Sequence, residues 1–270
     1  MILLQFDAVR FAYRETVVLS GVDFSIAPGD VVALLGRNGA GKTTVTRLAV
    51  ALAHPQRGEV RVAGETTRSR QPEDLAGRVA YLFQHPDRQL FARRTLDEVA
   101  FGPIQAGRPR SDALARARSA LHAVGLEGHE DTHPHDLNPT DRKLLALAAA
   151  LAQTGELLVL DEPTQGFDRP ARDLVGARLR DHAGRRGAAL VVTHDLGFVA
   201  DWCDRALVLH DGRVAYDGPV PDLVRDEKRV RFLGLRQPPA ARVSVALHLA
   251  GQPVRHSEVA AALVPRCRDG

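Results

Sequence analysis

Of the 36 basic residues in this 270-residue chain, only Lys42, Lys143 and Lys228 are lysine. A chain that writes nearly all its positive charge as arginine uses the compact ammonium sparingly, so each lysine is worth placing. Cysteine is as scarce, with Cys203 and Cys267 alone, too few for a disulfide framework or a cysteine zinc site, which suits a reducing compartment. Aromatics make up 5% of the chain and the net charge is +3, so neither base stacking nor a basic surface argues for nucleic acid. No apolar run approaches the roughly 18 residues that span a bilayer, and Met1 to Asp7 lacks a basic segment leading into an apolar one. The expectation is a cytoplasmic chain that meets a membrane only through a partner. What is plentiful is apolar residue, at 44%, ample for a core.

The most informative stretch is Val31 to Ala53, VVALLGRNGAGKTTVTRLAVALA, which reads as a buried strand, a glycine loop and a helix. Gly36, Gly41, Lys42 and Thr43 fit G-x-x-x-x-G-K-[ST]. In that pattern backbone N–H groups cradle phosphates, the lysine reaches the β- and γ-phosphates, and the hydroxyl holds Mg²⁺. The helix leaving the loop aims its positive end at the anion.

Upstream, residues 2 to 30 alternate like strands, with Leu4, Phe6, Ala8 and then Val22, Phe24, Ile26 on one face and Tyr13 at the tip. Downstream come short strands at Gly58 to Gly64 and at Val79 to Phe83, the latter running into Gln84, His85 and Pro86. From about 87 to 150 the pattern is helical. Thr95 and Glu98 have capping-box spacing, Leu114, Ala117, Leu121 and Val124 form a stripe closed by Gly125, and His129, His133 and His135 fall in a loop broken by Pro134. Asn138 and Pro139 suit the cap and first position of a helix whose buried stripe is Leu144, Leu147 and Leu151.

LLVLDE, Leu157 to Glu162, is a buried parallel strand releasing two carboxylates at its end, expected beside the glycine loop. They divide naturally into a metal ligand, Asp161, and a residue that polarises water, Glu162. LVVT, Leu190 to Thr193, is another such strand and ends at His194. Asp211-Gly212 turns a hairpin between Ala206 and Tyr216, and the core closes near residue 225. Beyond Pro238-Pro239, Val243, Leu247 and Ala250 read as the stripe of a short helix, and Ser257 as the cap of another.

In this order and spacing the motifs of residues 2 to 225 resemble the nucleotide-binding subunit of ABC transporters. The resemblance implies an α/β P-loop NTPase with a mixed core sheet, an N-terminal antiparallel β subdomain, a helical insertion at about 87–150 and, at 226–270, a short C-terminal helical extension. It implies ATP and Mg²⁺ as ligands. Tyr13 would stack on adenine. Gly36, Asn38, Gly39, Ala40, Gly41, Lys42, Thr43 and Thr44 would form the phosphate loop, and Thr43, Gln84 and Asp161 would meet the metal. Glu162, His194 and Gln84 would carry catalysis, and Asp168 would be the D-loop acid.

FQHPDRQLF, DEVAFGP and GLRQPPAARVSVALHLAG look like the ATPase subunits of energy-coupling-factor and cobalt-type importers. Their partners would be a second ABC ATPase subunit, an integral membrane coupling subunit and a substrate-binding membrane subunit. The place would be the cytoplasmic face of the membrane, and the cargo a vitamin or transition-metal ion. One departure stands out: where the family's signature is LSGGQ, this chain has Leu137, Asn138, Pro139, Thr140 and Asp141. Pro139 has no N–H and Thr140 adds bulk where glycine permits close approach, so an asymmetric heterodimer is expected. The other classes are a non-transport ABC ATPase acting on nucleic acid or ribosome, and a regulatory ATP-binding subunit with little hydrolysis.

Overall fold

The computed structural model describes residues 1–84, 89–153 and 155–264. His85, Pro86 and Cys267 therefore lie outside the described residues.

Two antiparallel strands, β1 (Leu4–Tyr13) and β2 (Thr16–Ile26), open the chain, followed by β3 (Val31–Gly36), the helix α1 (Lys42–Ala49), and strands β4 (Arg57–Val62) and β5 (Glu65–Thr66). The short helix α2 (Pro72–Leu75) leads to β6 (Val79–Leu82). Three helices come next: α3 (Thr95–Gln105), α4 (Arg110–Ala123) and α5 (Pro139–Ala152). Strands and helices then alternate through β7 (Leu157–Asp161), α6 (Arg169–Gly184), β8 (Ala188–Val192), α7 (Leu196–Trp202), β9 (Arg205–His210) and β10 (Arg213–Pro219). Four short helices close the described chain: α8 (Val220–Arg225), α9 (Glu227–Phe232), α10 (Pro239–Ala246) and α11 (His256–Leu263).

Two sheets result. One is antiparallel, in the order β2-β1-β4-β5; the other is six-stranded, β10-β9-β3-β8-β7-β6, and parallel except for β10. The apolar runs of the second sheet are explained by burial on both faces. In β3, Val31, Ala33 and Leu35 enter one core with α4, α5, α6 and α7, while Val32 and Leu34 enter the other with α1 and the antiparallel sheet. Because β3, β6, β7 and β8 run parallel, the residues after them emerge along one sheet edge. β8 lies between β7 and β3, so the β7 carboxylates reach the glycine loop's cleft across one intervening strand.

Several local readings need correction. Ala8 is exposed with φ +47°, and the register slips between Phe6 and Val9, so Val9 replaces it on the buried face. The strand ending at Phe83 stops at Leu82, and Phe83 is exposed. Thr95 and Glu98 do not form a capping box: Arg94 is the cap, the Thr95 hydroxyl donates to His129 O, and Glu98 Oε2 accepts from Phe91 N at 2.9 Å and Ala92 N at 2.7 Å. In α10 the apolar stripe Val243 and Leu247 faces out, and the buried face is the small pair Ala241 and Ser244. Ser257 lies inside α11, whose cap is Arg255. The last helices pack on the core: Ala241 and Val254 join it, and Asp201 of α7 accepts from His256 N at 2.8 Å.

Candidate active site

The loop between β3 and α1 is built by backbone conformations few side chains tolerate. Gly39 and Gly41 hold φ of +82° and +102°, and an ideal Cβ on Gly41 would sit 2.7 Å from Leu19 Cδ2. Ala40 is buried beneath the loop, while Asn38, Gly39 and Gly41 line a cleft of about 490 Å³ with Lys42, Thr43 and Thr44. Lys42 Nζ donates to Gly36 O at 2.7 Å and Arg37 O at 3.1 Å. Burial lowers its pKa, and the Glu162 and Asp161 carboxylates oppose that shift.

The opposite wall comes from the other strand ends. Gln84, Asp161 and Glu162 all line the same cleft as the loop, so residues more than a hundred positions apart share one space. Asp161 is the last residue of β7 and is buried. Glu162 has φ +51°, its N–H donates to Val192 O at 2.8 Å, and this turned-back backbone points the chain out of the strand. Its carboxylate accepts from Thr193 Oγ1 at 3.2 Å and lies 2.8 Å from His194 Nδ1. A carboxylate only accepts, so the shared proton sits on Nδ1 when Glu162 is ionised, leaving Nε2 to face outward. The His194 side chain is 68% exposed against 11% for Glu162.

Tyr13 stands at the mouth of the cleft, half exposed, with its ring edge-on to Phe11 and its hydroxyl accepting from Arg47 Nη1 at 3.0 Å. That brace and Val18 beside it were not evident in the sequence, because both depend on which residues the hairpin sets opposite α1. The donor set fits a nucleotide with its metal. The glycine arc presents N–H groups to an anion, and Thr43, Gln84 and Asp161 offer the hard oxygen ligands that Mg²⁺ takes.

The remaining expected residues lie elsewhere in the same chain. Asn138 caps α5, its Oδ1 accepting from Asp141 N at 3.0 Å and its Nδ2 donating to Asp141 Oδ2 at 2.6 Å. Asp168 caps α6, accepting from Ala171 N at 3.0 Å. Lys143, on α5, donates to Gln165 O at 2.6 Å and lies 5.7 Å from the centre of the Phe167 ring, tying this helix to the loop after Glu162.

Comparison with known proteins meets this geometry at the same residues: positions 19–165, spanning the phosphate loop and the β7 carboxylates, match the ABC transporter family. The chain belongs to that family. It is 34% identical over 247 residues to the energy-coupling factor transporter ATP-binding protein EcfA of Methanocaldococcus jannaschii, covering 90% of this chain and 88% of that protein. The EcfA protein of Methanothermobacter thermautotrophicus is 32% identical over 253 residues, covering 92% and 81%. Among solved structures, cbiO1 from Clostridium perfringens, described as part of the ABC transporter complex cbiONQ, superposes with a TM-score of 0.77 at 27% identity. That alignment covers 92% of this chain and 99% of the other. This is an ABC ATPase of the energy-coupling-factor type, and it binds and hydrolyses ATP. No described helix is long and apolar enough to cross a membrane.

Proposed function

We propose that this ABC ATPase is one half of an asymmetric ATPase heterodimer that powers an importer of a vitamin or a transition-metal ion. It would sit on the cytoplasmic face of the membrane, against a coupling subunit that also holds a substrate-binding membrane subunit. In this reading residues 1–225 are the ATPase domain and 226–270 an extension of it. The resemblance that names EcfA and the cbiONQ complex member supports the importer class. A docking surface supports the coupling subunit: Phe91 and Phe101 are exposed, pack edge-to-face at 4.8 Å, and flank a groove between α3, α5 and β6.

The roles follow from the cleft. Lys42 and the N–H groups of the loop would hold the β- and γ-phosphates. Tyr13 would stack on the base, and Glu162 would orient the attacking water and draw its proton. His194 would hold Glu162 in place through Nδ1 and present Nε2 towards the γ-phosphate. Thr43, Gln84 and Asp161 would hold Mg²⁺, which when bound neutralises charge on the phosphates.

The observation that carries the asymmetry is the start of α5. Pro139 has no N–H, and the N–H of Asp141 is already engaged by Asn138. The Asp141 carboxylate sits beside that cap, adding negative charge where a helix end would otherwise attract a phosphate. Loss of phosphate contacts here is on the scale of a removed oxyanion donor, about 3 kcal/mol of transition-state stabilisation. A second subunit with a glycine signature would then complete this chain's site, while this chain completes its partner's poorly.

The test is ATP-driven dimerisation of the purified chain carrying Glu162→Gln, together with turnover of the unsubstituted chain alone. Weak self-association and turnover that rises on adding a second ATPase subunit are expected. Robust homodimers and full turnover without a partner would sink the asymmetric reading. Co-purification from the native membrane, with the companions identified, tests the importer class separately.

A further inference from the structure

A second cleft, of about 560 Å³, opens on the other side of His194. One wall is Arg169, Arg172, His194, Asp195 and Asp201 from the α6 and α7 ends; the other is the C-terminal segment, with Arg236, Arg242 and His256. Both acids are engaged. Asp195 pairs with Arg172 at 2.5 Å and accepts from Phe198 N at 3.0 Å, and Asp201 pairs with Arg169 at 3.2 Å and accepts from His256 N. Among the described residues, neither Arg236 nor Arg242 has an ion pair or a side-chain hydrogen bond, although both face the same hollow. Both are exposed side chains on the C-terminal wall, so their positive charge faces the cleft without a directly paired carboxylate.

We propose that this cleft binds a phosphate-bearing anion, held by Arg236 and Arg242 and read by His194. Guanidinium groups match phosphate oxygens in paired hydrogen bonds, which a flexible ammonium does not. The first turn of α10 also borders the cleft; Pro238 and Pro239 have no N–H, so Ala240 is the first residue there with one to offer. The volume leaves room beyond one phosphate, and Leu196, Pro238 and Val254 give that space an apolar floor. The chemistry fits either phosphate released next door or a small phosphomonoester.

The position gives the site a route to catalysis. The imidazole lining this cleft is the one whose Nδ1 meets Glu162. Two residues before Arg236, Gly234 holds φ +72° and packs on the phosphate loop: an ideal Cβ there would lie 2.7 Å from Arg37 Cδ. An anion drawing Arg236 inward would therefore act on both ends of the nucleotide cleft. The site stands whether or not the importer or heterodimer reading holds.

The experiment is equilibrium dialysis with labelled inorganic phosphate, and separately with glycerol 3-phosphate, on the full chain. Lys42→Ala removes the competing phosphate loop. One equivalent should still bind to Lys42→Ala. Adding Arg236→Ala and Arg242→Ala should weaken that binding about tenfold per arginine. Tighter binding of phosphate identifies a product site, and tighter binding of glycerol 3-phosphate a metabolite site. On the unsubstituted chain the preferred anion should protect Arg236 and Arg242 from phenylglyoxal, mapped by peptide mass, which checks the site without any variant. Binding abolished by Lys42→Ala alone, binding indifferent to the two arginines, or no protection would each overturn the proposal.

Discussion

His194 Nδ1 lies 2.8 Å from Glu162 Oε1, joining the ends of two strands that are neighbours in the sheet but thirty-two residues apart in the chain. The two residues are thus one unit, and removing either should disable it. In the assembled complex, Glu162→Gln and His194→Ala should each lower ATP turnover about 10²- to 10³-fold, and the double variant little further, because units of this kind are not additive. Nucleotide affinity should hardly change, since neither side chain is part of the phosphate loop. Steady-state turnover paired with fluorescent-nucleotide binding checks this; additive losses would separate the two roles.

Burial pulls the Lys42 pKa below the ordinary lysine value of 10.5. Only the protonated amine serves a phosphate, so ATP affinity should fall as pH rises through a point below 10.5, earlier than for an exposed lysine. The stability of the nucleotide-free protein should move the opposite way. The unfolded chain binds this proton more tightly, so stability rises with pH between the lowered value and 10.5. Nucleotide titrations and urea melts across the alkaline range, with Lys42→Met as the control without the titration, read both signs.

Replacing Asn138→Ala removes the α5 cap and should cost about 1 kcal/mol, seen as a lower urea midpoint with unchanged slope. Restoring a signature by Asn138→Ser, Pro139→Gly, Thr140→Gly and Asp141→Gln together should do something a stability change cannot. In the Glu162→Gln background, it should raise ATP-dependent self-association, measured by size-exclusion chromatography with light scattering.

Cys203 is buried, and burial pushes its thiol up to about 12. The thiolate is the reactive form, so native protein at mildly alkaline pH should leave Cys203 unmodified by iodoacetamide, with full labelling after denaturation. Peptide mapping distinguishes it from Cys267.

The phosphate loop and the four strand ends were legible because each is a contiguous run whose residue types have one use. The β7 carboxylates needed no neighbour to be recognised. What escaped were features decided by opposing elements. Ala8 continues a flawless alternation, yet Asp23 on β2 accepts its N–H at 2.6 Å and the strand bulges. Thr95 and Glu98 have capping-box spacing, but the loops on either side offered them better partners. In α10 the larger apolar residues lost the buried face to Ala241 and Ser244. The Glu162 to His194 contact has no trace in the local sequence, because it exists only once β7 and β8 pair.

The strand order also sets a timetable. β3 carries the phosphate loop, but its partners are β8 and β9: Val31 pairs with Ala189, and Val32 with Arg205. During synthesis the loop-bearing strand leaves the ribosome with both edges bare and waits for most of the chain before either is covered. Such non-local pairing folds slowly and exposes apolar edges meanwhile. Nascent chains released before residue 188 should therefore aggregate, and ATP should not rescue them, since the cleft it would stabilise has yet to form.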